Sequence, residues 1–304
     1  MMNSKLQEWH KDPSHAPRVA LMSGNGGKAF CAGGDIVSLY HGKKKGVEVS
    51  KLTEFFAEEY LLDYSLSQLK NIEQISVWNG IVMGGGVGLT WHSPIRIATD
   101  NSLFAMPETA IGFFTDVGGG YFLPRIKNGD FSLGLYLALT GQRVKGKDLV
   151  KYGLATHYVP QDKLVHLYED LANLITKDSS REDIEAIVCD NSEAKAKIGA
   201  VPYHDEIKAI FKNDSIHAVI QRLESSNTDF ANTTKKQLAN ASPLAMSVVF
   251  EQLKRGSKMN VKEVFEMEFK IASGFFNHTE FFEGVRALLV DKDKQPKWHY
   301  THVK

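Results

Sequence analysis

Three consecutive glycines, Gly84-Gly85-Gly86, stand between an apolar segment, Ile75-Ser76-Val77-Trp78, and the run Val87-Gly88-Leu89-Thr90-Trp91. Glycine loses more backbone freedom on ordering than any other residue, so such a triplet does not belong inside a regular element. It marks a point where the chain turns sharply, approaches another backbone closely, or bares its N–H groups. Without Cβ atoms those N–H groups are open to a ligand, and a helix beginning there would favour a developing anion. A tight strand-to-helix packing turn explains the same glycines with no ligand, and both readings stand. Two nucleotide-binding readings fail. A G-x-G-x-x-G pattern would need a glycine where Leu89 stands, and Gly27-Lys28 has Met22 in place of the first P-loop glycine and Ala29 after the lysine.

The flanking pattern is that of an α/β core. Apolar runs at Val19–Met22, Ile75–Trp78, Ile95–Thr99, Ser102–Ala105 and Leu154–Val159 have strand length, the first read as a buried strand. Helical periodicity precedes Asp12-Pro13, spans about Ser50–Lys70, and recurs at Leu133–Thr140 and Lys147–Tyr152, stopped by Gly141 and Gly153. Strands alternating with helices predict an α/β fold. From about Gln161 helical patterns dominate, with Pro243 expected in a first helical turn capped by Ser242. This divides the chain into a core over residues 1–160 and a helical region over residues 161–304.

Two carboxylates follow the glycine triplet. Glu108 comes after Pro107, and Asp116 opens the turn Asp116-Val117-Gly118-Gly119-Gly120. Singly they read as a helix-start residue and an ordinary cap. Flanked together by Ile111, Phe113 and Phe114, they look like two acids at the edge of an apolar pocket, where burial raises a carboxyl pKa and suits it to act as base or nucleophile. A second glycine turn, Phe30-Cys31-Ala32-Gly33-Gly34-Asp35, could supply another N–H to the same anionic oxygen, and oxyanion holes use such donors in pairs. Cys31 reads as a small apolar residue rather than a nucleophile.

Lys+Arg and Asp+Glu both total 36, which argues against nucleic acid as the main partner. Lys43-Lys44-Lys45 reads as a solvated loop. The chain of 304 residues holds two cysteines, Cys31 and Cys189, too few for a disulfide framework. No apolar run is long enough to span a bilayer, and no targeting segment is visible at the N-terminus. The histidines are scattered; His299 and His302 read as part of a solvated tail, and no metal site is expected.

The ordered set Ala32-Gly33-Gly34-Asp35, Met83-Gly84-Gly85-Gly86, Pro107-Glu108 and Leu139-Thr140-Gly141 resembles the enoyl-CoA hydratase/isomerase (crotonase) superfamily. Within it, Phe104–Gly112, Asp116–Arg125 and Glu283–Asp293 resemble the branch that hydrolyses acyl-CoA thioesters, and the likeness runs from about residue 18 to 298. The resemblance implies a crotonase-like ββα spiral core with a helical C-terminal region, a CoA thioester as substrate, and no cofactor beyond the CoA carried by that substrate. It places Gly34 and Gly85 as the two backbone donors to the thioester oxygen, Glu108 as the catalytic glutamate, Asp116 as the second catalytic carboxylate and Glu59 as a substrate contact. Glu108 attacks the carbonyl or activates water, and the sequence does not choose. The hydratases' other glutamate falls at Gly88, which counts against water addition across a double bond.

The implied reaction is hydrolysis of 3-hydroxyisobutyryl-CoA to 3-hydroxyisobutyrate and CoA in valine catabolism, with a mitochondrial location implied by the family alone. The alternatives are a hydratase or isomerase acting on another acyl-CoA, and a non-catalytic CoA-ester binder. No membrane insertion is expected, and a homo-oligomer stays open. The family ordinarily opens with a further strand pair and an Asn-Arg-Pro segment that grips CoA, both before the point where this chain starts; fewer CoA contacts are therefore expected.

Overall fold

The computed structural model describes residues 2–194 and 199–303. Eight strands are present among them: β1 (Val19–Ser23), β2 (Ala29–Cys31), β3 (Glu73–Trp78), β4 (Ile81–Met83), β5 (Ile95–Ala98), β6 (Leu103–Ala105), β7 (Val144–Lys145) and β8 (His157–Tyr158). They form two four-stranded sheets, ordered β1-β3-β5-β8 and β2-β4-β6-β7. Successive strands thus alternate between the sheets through three pairs, β1β2, β3β4 and β5β6. Helix follows each pair: Ile36–Lys44 and Val49–Ser67 the first, the single turn Gly85–Gly88 the second, and the 3-10 turn Glu108–Ile111 the third. Past Gln161 every regular element among the described residues is helical.

The first sheet pairs in parallel throughout. Its central strand β3 is buried along its whole length, as parallel strands covered on both faces must be. Leu164, Leu167 and Leu171 share one face of the helix Leu164–Leu174, and they close over Ile75, Val77, Ile95 and Ile97 together with Ile184 and Val188 of Arg181–Asn191. The three-and-four spacing of those leucines gives the helix its core-facing stripe.

The chain divides into two compact units. One comprises residues 1–32, 62–104 and 143–201; the other comprises 33–61, 105–142 and 202–304. Both sheets belong to the first, apart from Ala105 at the end of β6. The second is dominated by helices around an aromatic core. Phe113 lies 5.4 Å from Phe56, 4.6 Å from Phe114 and 5.0 Å from Phe281, centroid to centroid.

Several local expectations needed correction. β1 is not buried: it is an edge strand, and Leu21 is 42% exposed. The strand expected over Leu154–Val159 shortens to His157–Tyr158, flanked by bonds from the Thr156 N–H to Arg96 O and the Val159 N–H to Ala98 O, because Leu154 and Ala155 instead close a turn onto the Leu149 carbonyl. Lys43 and Lys44 end the helix Ile36–Lys44 rather than forming a loop, a position where cations complement the helix dipole. The tail is pinned, since the His299 N–H donates to Glu280 Oε1 at 2.7 Å, although both tail imidazoles are exposed. Ser242 does cap Pro243–Gly256, accepting from the Ala245 N–H at 3.2 Å. No helix among the described residues is long and apolar enough to cross a membrane.

Candidate active site

The three glycines of the triplet are needed for different reasons. Gly84 has φ +48° and ψ −126°, a conformation that side chains exclude. Gly86 sits against β2, where a Cβ would come within 2.5 Å of the Cys31 carbonyl oxygen. Those two are packing requirements, as the ligand-free reading expects. Gly85 opens the turn Gly85–Gly88, whose bonds to Gly84 O come only from Val87 N and Gly88 N. Its N–H therefore has no acceptor within the turn, as holds for any first helical residue. Gly88 is buried and brings no carboxylate.

Gly34, in the other unit, precedes the helix Ile36–Lys44, which Asp35 caps by accepting from the Ser38 N–H at 3.1 Å. A Cβ at Gly34 would lie 2.6 Å from the Phe55 ring, so glycine there lets the ring close down on the backbone.

Glu108 heads the 3-10 turn Glu108–Ile111, which neighbours of the same unit clamp from several sides. The Thr109 hydroxyl donates to Leu139 O at 3.0 Å, the Ser242 N–H donates to Thr109 O at 3.0 Å, and the Phe113 N–H donates to Glu108 O at 3.0 Å. Gly112 adopts φ +67°, and a Cβ on it would lie 2.3 Å from Glu280 O; a Cβ on Gly284 would lie 2.2 Å from Ile111 O. This accounts for Leu139-Thr140-Gly141 and for the glycine of Glu283–Asp293: both segments press against the turn that carries Glu108. Glu108 is 6% exposed, and its Oε2 is buried without a hydrogen-bond partner among the described residues. Burial, reinforced by the charge of Asp116, pushes its pKa well above the usual carboxylate value.

Asp116 accepts a hydrogen bond from the Tyr60 hydroxyl at 2.9 Å. Burial raises its pKa, and the bond from Tyr60 offsets part of that rise. Glu59, one residue before Tyr60 on the helix Val49–Ser67, is raised by burial and then by the Asp116 charge. Burial and the surrounding acids also raise Tyr60, which keeps its proton and remains a donor. Glu59, Glu108 and Asp116 are thus brought together as a group of acids whose pKa values burial raises, Glu59 to about 8 and Asp116 to about 7. Such a group can take a proton from water or offer a carboxylate to a carbonyl.

Three contributors escaped the sequence reading. Tyr60 lay beside the expected Glu59, and only its bond to Asp116 reveals its use. Glu268 and Gln252 come from the helices Val261–Phe275 and Pro243–Gly256. Glu268 is fully buried and accepts from the Gly118 N–H at 2.7 Å and the Gly120 N–H at 2.9 Å. Its sequence surroundings resemble those of exposed Glu266 two residues earlier, and nothing local separates the two.

Strands traded between two sheets through three pairs, with buried acids on the turn after the third, define a crotonase-type α/β protein. The chain belongs to the enoyl-CoA hydratase/isomerase family, whose model matches residues 1–304. Among its relatives, a protein of Xenopus laevis named 3-hydroxyisobutyryl-CoA hydrolase, mitochondrial, is 41% identical over 300 residues, covering 97% of this chain and 75% of the relative. A human protein of the same name is 40% identical over 306 residues, covering 99% and 76%. The solved structure of a carnitinyl-CoA dehydratase from Mycobacterium thermoresistibile matches with a TM-score of 0.83 at 31% identity, covering 98% of this chain and 82% of that one. An enoyl-CoA hydratase from Rhodobacter sphaeroides 2.4.1 matches with a TM-score of 0.82 at 30% identity, covering 99% and 84%.

Proposed function

We propose that this chain hydrolyses 3-hydroxyisobutyryl-CoA to 3-hydroxyisobutyrate and free CoA, a step of valine breakdown. The observation that carries the reading is the Glu108 carboxyl, buried with Oε2 unpartnered and near an Asp116 held in place by Tyr60. Oε2 is the atom free to take the proton of a water that attacks the thioester carbonyl, or to attack it directly; both routes consume one water and release one thiol. Asp116 accepts the substrate hydroxyl, with Glu59 as a second contact beside it.

For the thioester oxygen we carry forward the Gly34 and Gly85 N–H groups, each in the role the family likeness assigns. Loss of one such donor typically costs about 3–4 kcal/mol of transition-state stabilisation. The reaction as written calls on no metal or redox cofactor, because the carboxyls move the proton and the thiolate is the leaving group. The relatives' names carry the term mitochondrial, and we propose the same compartment for this chain.

Gly88 supports hydrolysis over hydration, since it stands where the hydratases carry their other glutamate and has no group to offer a water. Thiol release from 3-hydroxyisobutyryl-CoA, followed with a thiol-reactive dye, tests the proposal. Release by the wild type and its loss in Glu108→Gln are expected. Turnover of crotonyl-CoA in place of thiol release would move the assignment to a hydratase, and folded protein that binds the ester without turnover would make it a binder.

A further inference from the structure

The loop that carries Asp116 holds a conformation its own residues do not favour. Val117, β-branched, adopts φ +53°, and Gly118 follows at φ +85°. A branched side chain in the left-handed region persists only where the surroundings over-determine it. Here the surroundings are two side chains. Glu268 Oε2 accepts from the Gly118 N–H at 2.7 Å, and Oε1 accepts from the Gly120 N–H at 2.9 Å. Gln252 Nε2 donates both to Glu268 Oε1 at 2.9 Å and to the Thr115 carbonyl at 2.7 Å. The residue before Asp116 and the residues two and four after it are therefore tied to one buried pair.

The choice of glutamate is chemically telling. Glu268 is fully buried, and burial lifts its pKa to about 8 against the pull of its three donors. A glutamine of the same shape would avoid most of that penalty, so packing alone gives no reason for an acid. Glutamine has one acceptor oxygen, however, and its amide nitrogen would face an N–H. Only a carboxyl group, with two acceptor oxygens, satisfies Gly118 and Gly120 on separate atoms.

We propose that Glu268, with Gln252 behind it, is a positioning residue for hydrolysis: it fixes the backbone on both sides of Asp116 and so sets where the Asp116 carboxylate meets the substrate. This rests on the proposed hydrolase function. It assigns Glu268 no contact with substrate; its action passes through Asp116, whose other constraint is the Tyr60 hydroxyl. The groups that face Asp116 are Tyr60, Glu59, Glu108 and Glu268.

The test is a double-mutant cycle. Glu268→Gln is expected to lower kcat about 100-fold, the size of effect that an ångström of misplacement produces, with KM within about threefold of wild type. In an Asp116→Asn background the same change should lower kcat by less than about threefold, because the group being positioned is already gone. An equal loss in both backgrounds would reduce Glu268 to a general structural residue and overturn the proposal. If Glu268→Gln does not fold, Gln252→Met leaves the two backbone bonds of Glu268 intact and frees Thr115; a smaller loss, again vanishing with Asp116→Asn, is expected, and an uncoupled loss counts against positioning. Wild-type protein that releases no thiol would sink the hydrolase reading alone. Positioning is then read from a crystal structure of whichever variant folds. Asp116 displaced from Tyr60 beyond hydrogen-bond reach supports it, and an unmoved carboxylate refutes it.

Discussion

Two clusters of carboxylates in the same unit are built on opposite electrostatic plans. Inside, Glu59, Glu108, Asp116 and Glu268 are gathered with no ion pair to a cation among the described residues, and burial raises the pKa of every one. Outside, Glu283, Asp291 and Asp293 converge on Arg286: Glu283 meets it through both oxygens at 2.8 and 2.9 Å, Asp291 at 2.7 Å and Asp293 at 2.6 Å. There the guanidinium lowers the pKa of Glu283 and Asp293, and its own is raised in return. Similar side chains thus do contrary things. The outer set is satisfied at neutral pH and ties the end of the helical region together. The inner set has pKa values raised above those the same groups have in water, a condition that destabilises the fold as they ionise and keeps them reactive.

The sharpest way to break this contrast is to remove one inner acid. Glu108→Gln is expected to lower kcat about a thousandfold, within the range that loss of a positioned acid–base group produces. Because it also relieves an unpartnered buried carboxyl, thermal unfolding at pH 9 should move upward. A lower melting temperature at that pH would show that Glu108 is not under the strain described. Asp116→Asn should cost about 100-fold in kcat/KM for the hydroxylated ester and far less for isobutyryl-CoA, because a site built to bond a hydroxyl discriminates against its absence through its own unpaired groups. Equal losses on the two esters would separate Asp116 from hydroxyl recognition.

pH sets the two clusters against each other. A folded-state pKa above the unfolded value contributes stability that is complete below the unfolded pKa and is lost as pH rises through the folded one. For Glu268 that window opens near 4.5 and closes near 8, and Glu59 and Asp116 act in the same direction. The melting temperature should therefore fall between pH 6 and pH 9, and Glu59→Gln should flatten the fall; a parallel fall in the variant would exclude Glu59 from the effect. Turnover runs the other way. In the proposed hydrolysis Glu108 works as an anion, so its raised pKa predicts that kcat/KM is lost as pH drops, at a pH above the ordinary carboxylate range. Activity and stability then trade against each other along one pH axis.

The legibility of these regions in the sequence followed how local their causes are. The helix stops at Gly141 and the Ser242 cap depend on a few adjacent residues, and both were readable. The short strands β2, β4 and β7 were not, because two or three residues hold no period and exist only through their partners. Gly34, Gly85, Glu59, Glu108 and Asp116 were reached through motif likeness, and Glu108 and Asp116 also through their apolar neighbours. Glu268 lies 150 residues from the loop it serves, in the run Val264-Phe265-Glu266-Met267-Glu268-Phe269 where charge alternates with bulk. Burial distinguishes it from Glu266, and burial there is a tertiary fact.

The outer cluster yields the smallest effect and the cleanest control. Arg286→Ala leaves Glu283, Asp291 and Asp293 facing one another without their shared cation, and it removes the bond that Arg286 donates to Gln295 O at 3.3 Å. A melting temperature lower by about 2–4 °C is expected at pH 7, the scale of one modest interaction in a chain of this size, with kcat for thiol release within about twofold of wild type. The sign of its pH dependence is opposite to that of the inner set. Lowered carboxyl pKa values contribute stability above the unfolded values and lose it as pH falls. The gap between wild type and Arg286→Ala should accordingly be full at pH 7, narrow as pH falls below about 4, and close only once pH passes the lowered folded-state values. A gap that persisted in acid would mean that Arg286 acts through the packing of its aliphatic stem, and the contrast between the clusters would then rest on burial alone rather than on the presence of a cation.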